Sequence, residues 1–120
     1  MTPPKTAADL IAEAKARIRE VSPAAVMEMQ QRGDPLVLLD VRDPNEVNLG
    51  MIPGALHLSR GRMETHIEAL VPRDARLILY CSTGNRSAFA ADTLQQMGYT
   101  NVASMAGGIQ EWVERGGDVE

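Results

Sequence analysis

Leu77-Ile78-Leu79-Tyr80, running directly into Cys81-Ser82-Thr83-Gly84-Asn85-Arg86-Ser87, decides how this chain is read. Four apolar residues in a row, bounded by polar neighbours, form the pattern of a strand buried on both faces. The stretch after the loop, Ala88 to Met97, reads as a helix. A small, polar, glycine-containing turn between strand and helix sets its backbone amides and the positive end of the helix against whatever sits in it, and such a place binds anions. The chain's only cysteine, Cys81, opens that turn. A free thiol titrates near ~8.5, and an electropositive surround of this kind holds it instead as thiolate, the form that attacks. Taken alone, a lone cysteine is most often a buried structural residue. Strand, loop composition and helix together reverse that expectation.

Working outward, Leu36-Val37-Leu38-Leu39 repeats the strand pattern between Asp34-Pro35 and Asp40. Shorter strand candidates lie at Ala55-Leu56-His57 and Val102-Ala103-Ser104. Ser22-Pro23 supplies an N-cap followed by proline at the first helical position, so a helix runs from Pro23 to about Gln31 and stops at Gly33. Further helices are expected near Pro44–Leu49, Met63–Leu70 and Ile109–Arg115. Strands alternating with helices predict a parallel α/β sheet with helices on both sides. Ligands of such sheets bind outside the carboxyl ends of the strands. Asp40 and Cys81 both fall there and face one pocket. Gly107-Gly108 reads as a tight strand-to-helix turn near that pocket, and Phe89, Leu94, Met97 and Trp112 as core.

At the other end, Leu10, Ile11, Ala14, Ile18 and Val21 recur at helical spacing. Residues 1–21 therefore read as a leader and an amphipathic helix, and residues 22–120 as the domain proper. The helix buries its stripe either on the domain or on a second copy in a homodimer, and the sequence leaves both open.

The 120 residues suit one domain with a core that needs neither disulfide nor metal. A net charge of −4 argues against a nucleic-acid surface. His57 and His66 form no ligand-spaced pair, so neither a metal nor another cofactor is expected. No signal core follows Met1-Thr2-Pro3-Pro4-Lys5, and no run is long enough to span a bilayer, which makes the cytoplasm the default location.

Three blocks of residues resemble the rhodanese (sulfurtransferase) domain family. The first is Asp40-Val41-Arg42 with Glu46, Gly50 and Ile52-Pro53-Gly54-Ala55; the second is Cys81 to Ser87; the third is Gly107-Gly108-Ile109 with Trp112. Met51 and Met105 depart from the usual pattern, where His and Leu are common, without touching the chemistry. The resemblance implies a three-layer fold with a mostly parallel five-stranded sheet flanked by helices, here with an extra N-terminal helix. It also implies a catalytic cysteine that takes a sulfane sulfur from a donor such as thiosulfate, holds it as a persulfide, and passes it to cyanide, a thiol or a protein acceptor.

Within that frame Cys81 is the nucleophile and carrier, and the amides from Ser82 through Thr83, Gly84, Asn85, Arg86 and Ser87 cradle the persulfide. Arg86 either binds the anionic part of a donor or braces the loop through an ion pair with Asp40 or Glu46, and bracing is the stronger reading. Asp40, Arg42 and Glu46 are expected as supporting residues at the pocket edge: Asp40 accepts from loop amides, and Arg42 pairs with Glu46 at i, i+4. Two rivals stand beside the enzyme: a sulfur-relay or interaction module with little small-molecule turnover, and a cysteine-dependent phosphatase or arsenate reductase. Tyrosine phosphatases place one more residue between Cys and Arg than the four found here, and a disulfide-closing reductase needs cysteines this chain lacks. The neutral Ser82, Thr83 and Asn85 also differ from relatives devoted to thiosulfate, which carry cations in the loop, so a persulfide or a protein partner stands beside thiosulfate as the expected sulfur donor.

Overall fold

In the computed structural model, which describes residues 2–120, five strands form one parallel sheet in the order β1-β5-β4-β2-β3. The strands are β1 (Arg19–Val21), β2 (Val37–Asp40), β3 (Leu56–His57), β4 (Leu77–Tyr80) and β5 (Val102–Met105). The helices are α1 (Ala7–Arg17), α2 (Pro23–Arg32), α3 (Pro44–Val47), α4 (Met63–Leu70), α5 (Asn85–Gln96) and α6 (Gly108–Glu114). Every strand pair is parallel, so the expected mostly parallel sheet is wholly so.

The side-chain alternation of β4 builds the two cores. Leu77 and Leu79 point to one face, where Met63 and Ile67 of α4 and Ala90, Ala91 and Leu94 of α5 cover them. Ile78 and Tyr80 point to the other, against Val26 and Met29 of α2 and Ile109 and Trp112 of α6. A strand covered twice cannot alternate polar with apolar, which is why β4 is apolar throughout. Phe89, expected in the core, is only half-buried and belongs to neither cluster.

The N-terminal reading is corrected at its far end. The helix stops at Arg17, Ile18 is extended, and Arg19 to Val21 form the edge strand β1 against β5. Helix α1 begins with a capping box, Thr6 with Asp9, and packs on α5 of its own chain. There Ala14 is fully buried, Arg17 makes a two-pronged pair with Asp92 at 3.0 and 2.8 Å, and Gln95 Nε2 donates to the Arg17 carbonyl. Among the described residues no helix is long and apolar enough to cross a membrane.

The strand order fixes where a ligand can enter. The chain leaves β2 towards β3 on one side and leaves β4 towards β5 on the other, so the connections diverge between β2 and β4. Crevices at such switch points lie beyond the carboxyl ends of the strands. Asp40 and Tyr80 are register partners at that edge, and Cys81 is the next residue out.

Candidate active site

The cysteine loop is shorter than its sequence suggests, because α5 begins at Asn85 rather than Ala88. Asn85, Arg86 and Ser87 thus form its first turn, and Gly84 serves as the cap with φ +99°. A side chain at Gly84 would be strained by that angle and would meet the Gly107 nitrogen at 3.1 Å. The tight turn brings the Gly84 amide to 3.1 Å from Cys81 Sγ and the Ser87 amide to 3.4 Å. Ser87 Oγ stands 3.5 Å from the same sulfur. Of the six loop amides expected around the sulfur, these two reach it, with one hydroxyl beside them. Donors converging on one atom are placed to stabilise charge that develops there during a reaction.

Cys81 itself is 1% exposed and borders the apolar cluster that holds Leu39, Val41 and Leu79. Its surroundings are therefore two-sided: hydrocarbon behind, N–H and O–H in front. Ser87 Oγ also lies 2.8 Å from Ser104 Oγ, and both serines are fully buried. Ser104 was not singled out in the sequence, although a hydroxyl between Ala103 and Met105 in a buried strand needs a partner.

The loop's carbonyls are held by α6. Ile109 N–H donates to the Cys81 carbonyl at 2.9 Å and Gln110 N–H to that of Ser82 at 3.2 Å. With both carbonyls drawn towards α6, the loop can turn its following amides onto the sulfur. So close an approach requires glycine at 108: φ is +60°, and an added Cβ would overlap the carbonyl oxygens of Cys81 and Ser82. Gly107-Gly108 is thus a buttress for the cysteine loop as well as a turn.

The charged residues pair differently from the expectation. Asp40 does not hold loop amides; it grips Arg42, accepting from Nε at 3.0 Å and from Nη2 at 2.7 Å, and it takes the Arg42 backbone N–H as well. Arg42 Nη2 also donates to the Gly50 carbonyl, and the pair is almost wholly buried. Arg42 lies before the Asp43 cap of α3, so the i, i+4 geometry towards Glu46 never forms. Glu46 instead receives both outer nitrogens of Arg86, at 2.6 and 2.8 Å. That hydrogen-bonded pair lowers the Glu46 carboxyl to about 2, against the opposing effect of burial. The same contact raises Arg86. Arg86 therefore braces the start of α5 against α3. His57, given no role in the chemistry, donates from Nε2 to the Arg42 carbonyl at 2.7 Å.

Ser82 is half-buried and Thr83 exposed, so the loop's tip is open to solvent. Ser82 also borders a cleft of about 550 Å³ that runs past Gly50, Leu49 and α6. Among the described residues no group of His, Cys, Asp and Glu could hold a metal ion.

Comparison with known proteins agrees with this architecture. The model of the rhodanese-like domain matches residues 22–115. The chain belongs to the rhodanese-like domain family. Among its relatives is a sulfurtransferase of Allochromatium vinosum, 31% identical over 99 residues that span 82% of this chain and 92% of that protein. The thiosulfate sulfurtransferase GlpE of Ectopseudomonas mendocina is 35% identical over 97 residues, 78% of this chain and 84% of its own. The solved structure of RPA3614 from Rhodopseudomonas palustris, described as a possible tyrosine phosphatase, superimposes with a TM-score of 0.89 at 32% identity. It covers 100% of this rhodanese-like chain and 98% of its own, so the superposition takes in α1.

Proposed function

We propose that this rhodanese-like domain is a sulfurtransferase in which Cys81 carries the sulfur as a persulfide. The observation that carries the proposal is the convergence of the Gly84 amide, the Ser87 amide and the Ser87 hydroxyl on Cys81 Sγ. Relatives named as sulfurtransferases support the reaction class.

In the first half-reaction the Cys81 thiolate attacks the outer sulfur of the donor. The donor's S–S bond breaks, its electron pair leaves with the departing group, and Cys81 is left as Cys–S–S⁻. With thiosulfate the leaving group is sulfite. In the second, cyanide or a thiolate attacks the outer sulfur of the persulfide and departs as thiocyanate or a new persulfide, and Cys81 is thiolate again. Dividing the transfer in this way replaces one difficult step by two easier ones. In both steps negative charge leaves or arrives on the Cys81 sulfurs, so fixed donors at the loop serve both, and no general acid is needed to expel sulfite. The first-turn amides of Asn85 and Arg86, which have no acceptor within α5, suit the outer sulfur.

Phosphatase chemistry is the rival that the RPA3614 description brings forward. The loop has four residues between Cys81 and Arg86, and Arg86 has both outer nitrogens on Glu46 rather than free for a phosphate. Steady-state kinetics separate the two. Parallel double-reciprocal lines with thiosulfate and cyanide, with negligible aryl phosphate hydrolysis, are the expected result. Faster aryl phosphate hydrolysis than sulfur transfer would replace this reading.

A further inference from the structure

The cleft beside Ser82 points to the class of donor. Its walls include Leu49, Val113 and Val119, which are 90%, 52% and 39% exposed, with Ile109 below them. Among the described residues five large apolar side chains are exposed, and three of them meet in this one cleft. The C-terminal segment completes the wall. Met51 and Glu120 exchange both backbone hydrogen bonds at 2.9 Å, and Trp112 Nε1 donates to the Asp118 carbonyl, which fixes Val119 over Gly50. Gly50 leaves room for it, since a Cβ there would lie 2.6 Å from Val119 Cγ1.

The charges of the cleft offer nothing to a small dianion. Of the lining residues only Arg42 is cationic, and Asp40 neutralises it from below. Glu46 is bound to Arg86, which spends that guanidinium too, and Glu114 adds a further carboxylate. Thiosulfate carries two negative charges into this setting, whereas an alkyl persulfide carries at most one and brings a hydrocarbon body.

Resting on the sulfurtransferase reading above, we infer that the donor is a low-molecular-weight organic persulfide whose apolar body lies in the cleft walled by Leu49, Val113 and Val119. A cleft of about 550 Å³ is the size that holds a small organic molecule. The reaction balances without an added oxidant. The Cys81 thiolate attacks the outer sulfur of R–S–SH, the donor S–S bond breaks, and R–S⁻ leaves with the electron pair and takes a proton from water, while Cys81 becomes Cys–S–SH.

The test is the second-order rate of Cys81 loading, read by intact mass, for ethyl, butyl and hexyl persulfide and for thiosulfate. Each methylene fully buried in the cleft should raise the rate about fourfold, which is roughly 0.8 kcal/mol per CH₂, and each half-buried one about twofold. In Leu49→Ser and Val113→Ser the dependence on chain length should flatten. Hexanethiol added to Cys81→Ser, which cannot react, should shift the methyl resonances of Leu49, Val113 and Val119. If no donor loads Cys81, the sulfurtransferase reading fails and this inference goes with it. Loading that is indifferent to chain length, or a chain-length dependence that both variants retain, overturns the inference alone. So do methyl shifts that follow protein concentration without thiol, because they would assign the patch to a second copy of the chain.

Discussion

Replacing Gly108 with alanine tests the buttress beneath the cysteine loop, and Gly33 provides a matched control. Both glycines are left-handed, at φ +60° and +72°. Alanine pays roughly 1–2 kcal/mol for that conformation at either position. At Gly33 the added methyl meets nothing within 4 Å, so Gly33→Ala should cost that amount and no more. At Gly108 it overlaps the carbonyl oxygens of Cys81 and Ser82. Relieving the overlap moves α6 away and weakens the two hydrogen bonds from Ile109 and Gln110, at about 1 kcal/mol each. Gly108→Ala should therefore cost about 3–4 kcal/mol, some 2 kcal/mol beyond its control, which is roughly a thirtyfold difference in the unfolding equilibrium. Urea denaturation of the two variants reads the difference directly, and sulfur loading of Cys81 should fall in Gly108→Ala while Gly33→Ala loads like the parent protein. Equal destabilisation by the two substitutions would refute the reasoning, since it would mean that α6 does not bear on the loop.

Other consequences are open to the same kind of measurement. Ser87→Ala removes the hydroxyl beside Cys81 Sγ but keeps the amide, and loading should slow about tenfold or more, the worth of a hydrogen bond to a charged group; Ser104→Ala, one atom further back, should slow it less. Asp40→Asn strips the buried Arg42 of its counter-charge and should cost about 3–5 kcal/mol in denaturant, with recovery when Arg42→Met is added. Glu46→Gln should lose about 1 kcal/mol at neutral pH, a modest figure because Arg86 is 37% exposed and water screens the pair. Because the folded carboxyl sits at about 2, below its ordinary 4.5, the pair's contribution is complete above 4.5 and disappears as pH falls through about 2. Parent and Glu46→Gln stabilities, followed against pH, should therefore converge at the acid end, and a constant gap would deny the ion pair its role.

The sequence was most readable where a residue's burial leaves no choice. The all-apolar Leu77 to Tyr80 admits only a doubly covered strand, and Ser22-Pro23 with Gly33 marks both ends of α2 chemically. Sequence and structure part where two patterns share the same residues. Ile18 and Val21 fit a helical stripe, yet Arg19-Glu20-Val21 is a three-residue edge strand whose charged side chains carry no period. The first turn of α5 is polar because it faces the sulfur site, so Asn85, Arg86 and Ser87 look like loop. At the site, the loop, its nucleophile candidate and the bracing role of Arg86 could be read from spacing. The partners of Arg42 and Glu46 could not, because they depend on where α3 begins and on residues brought from 40 positions away. Ser104 is legible only afterwards, when the sheet register sets β5 against β4.

The claim on which the rest depends is that sulfur rides on Cys81. Intact mass spectrometry of the protein after incubation with thiosulfate and, separately, with an organic persulfide addresses it most directly. The account predicts a gain of one sulfur atom, lost again on adding cyanide and absent from Cys81→Ser. A parent protein that turns over donor while its mass never changes, or a Cys81→Ser variant that still gains the atom, would contradict it.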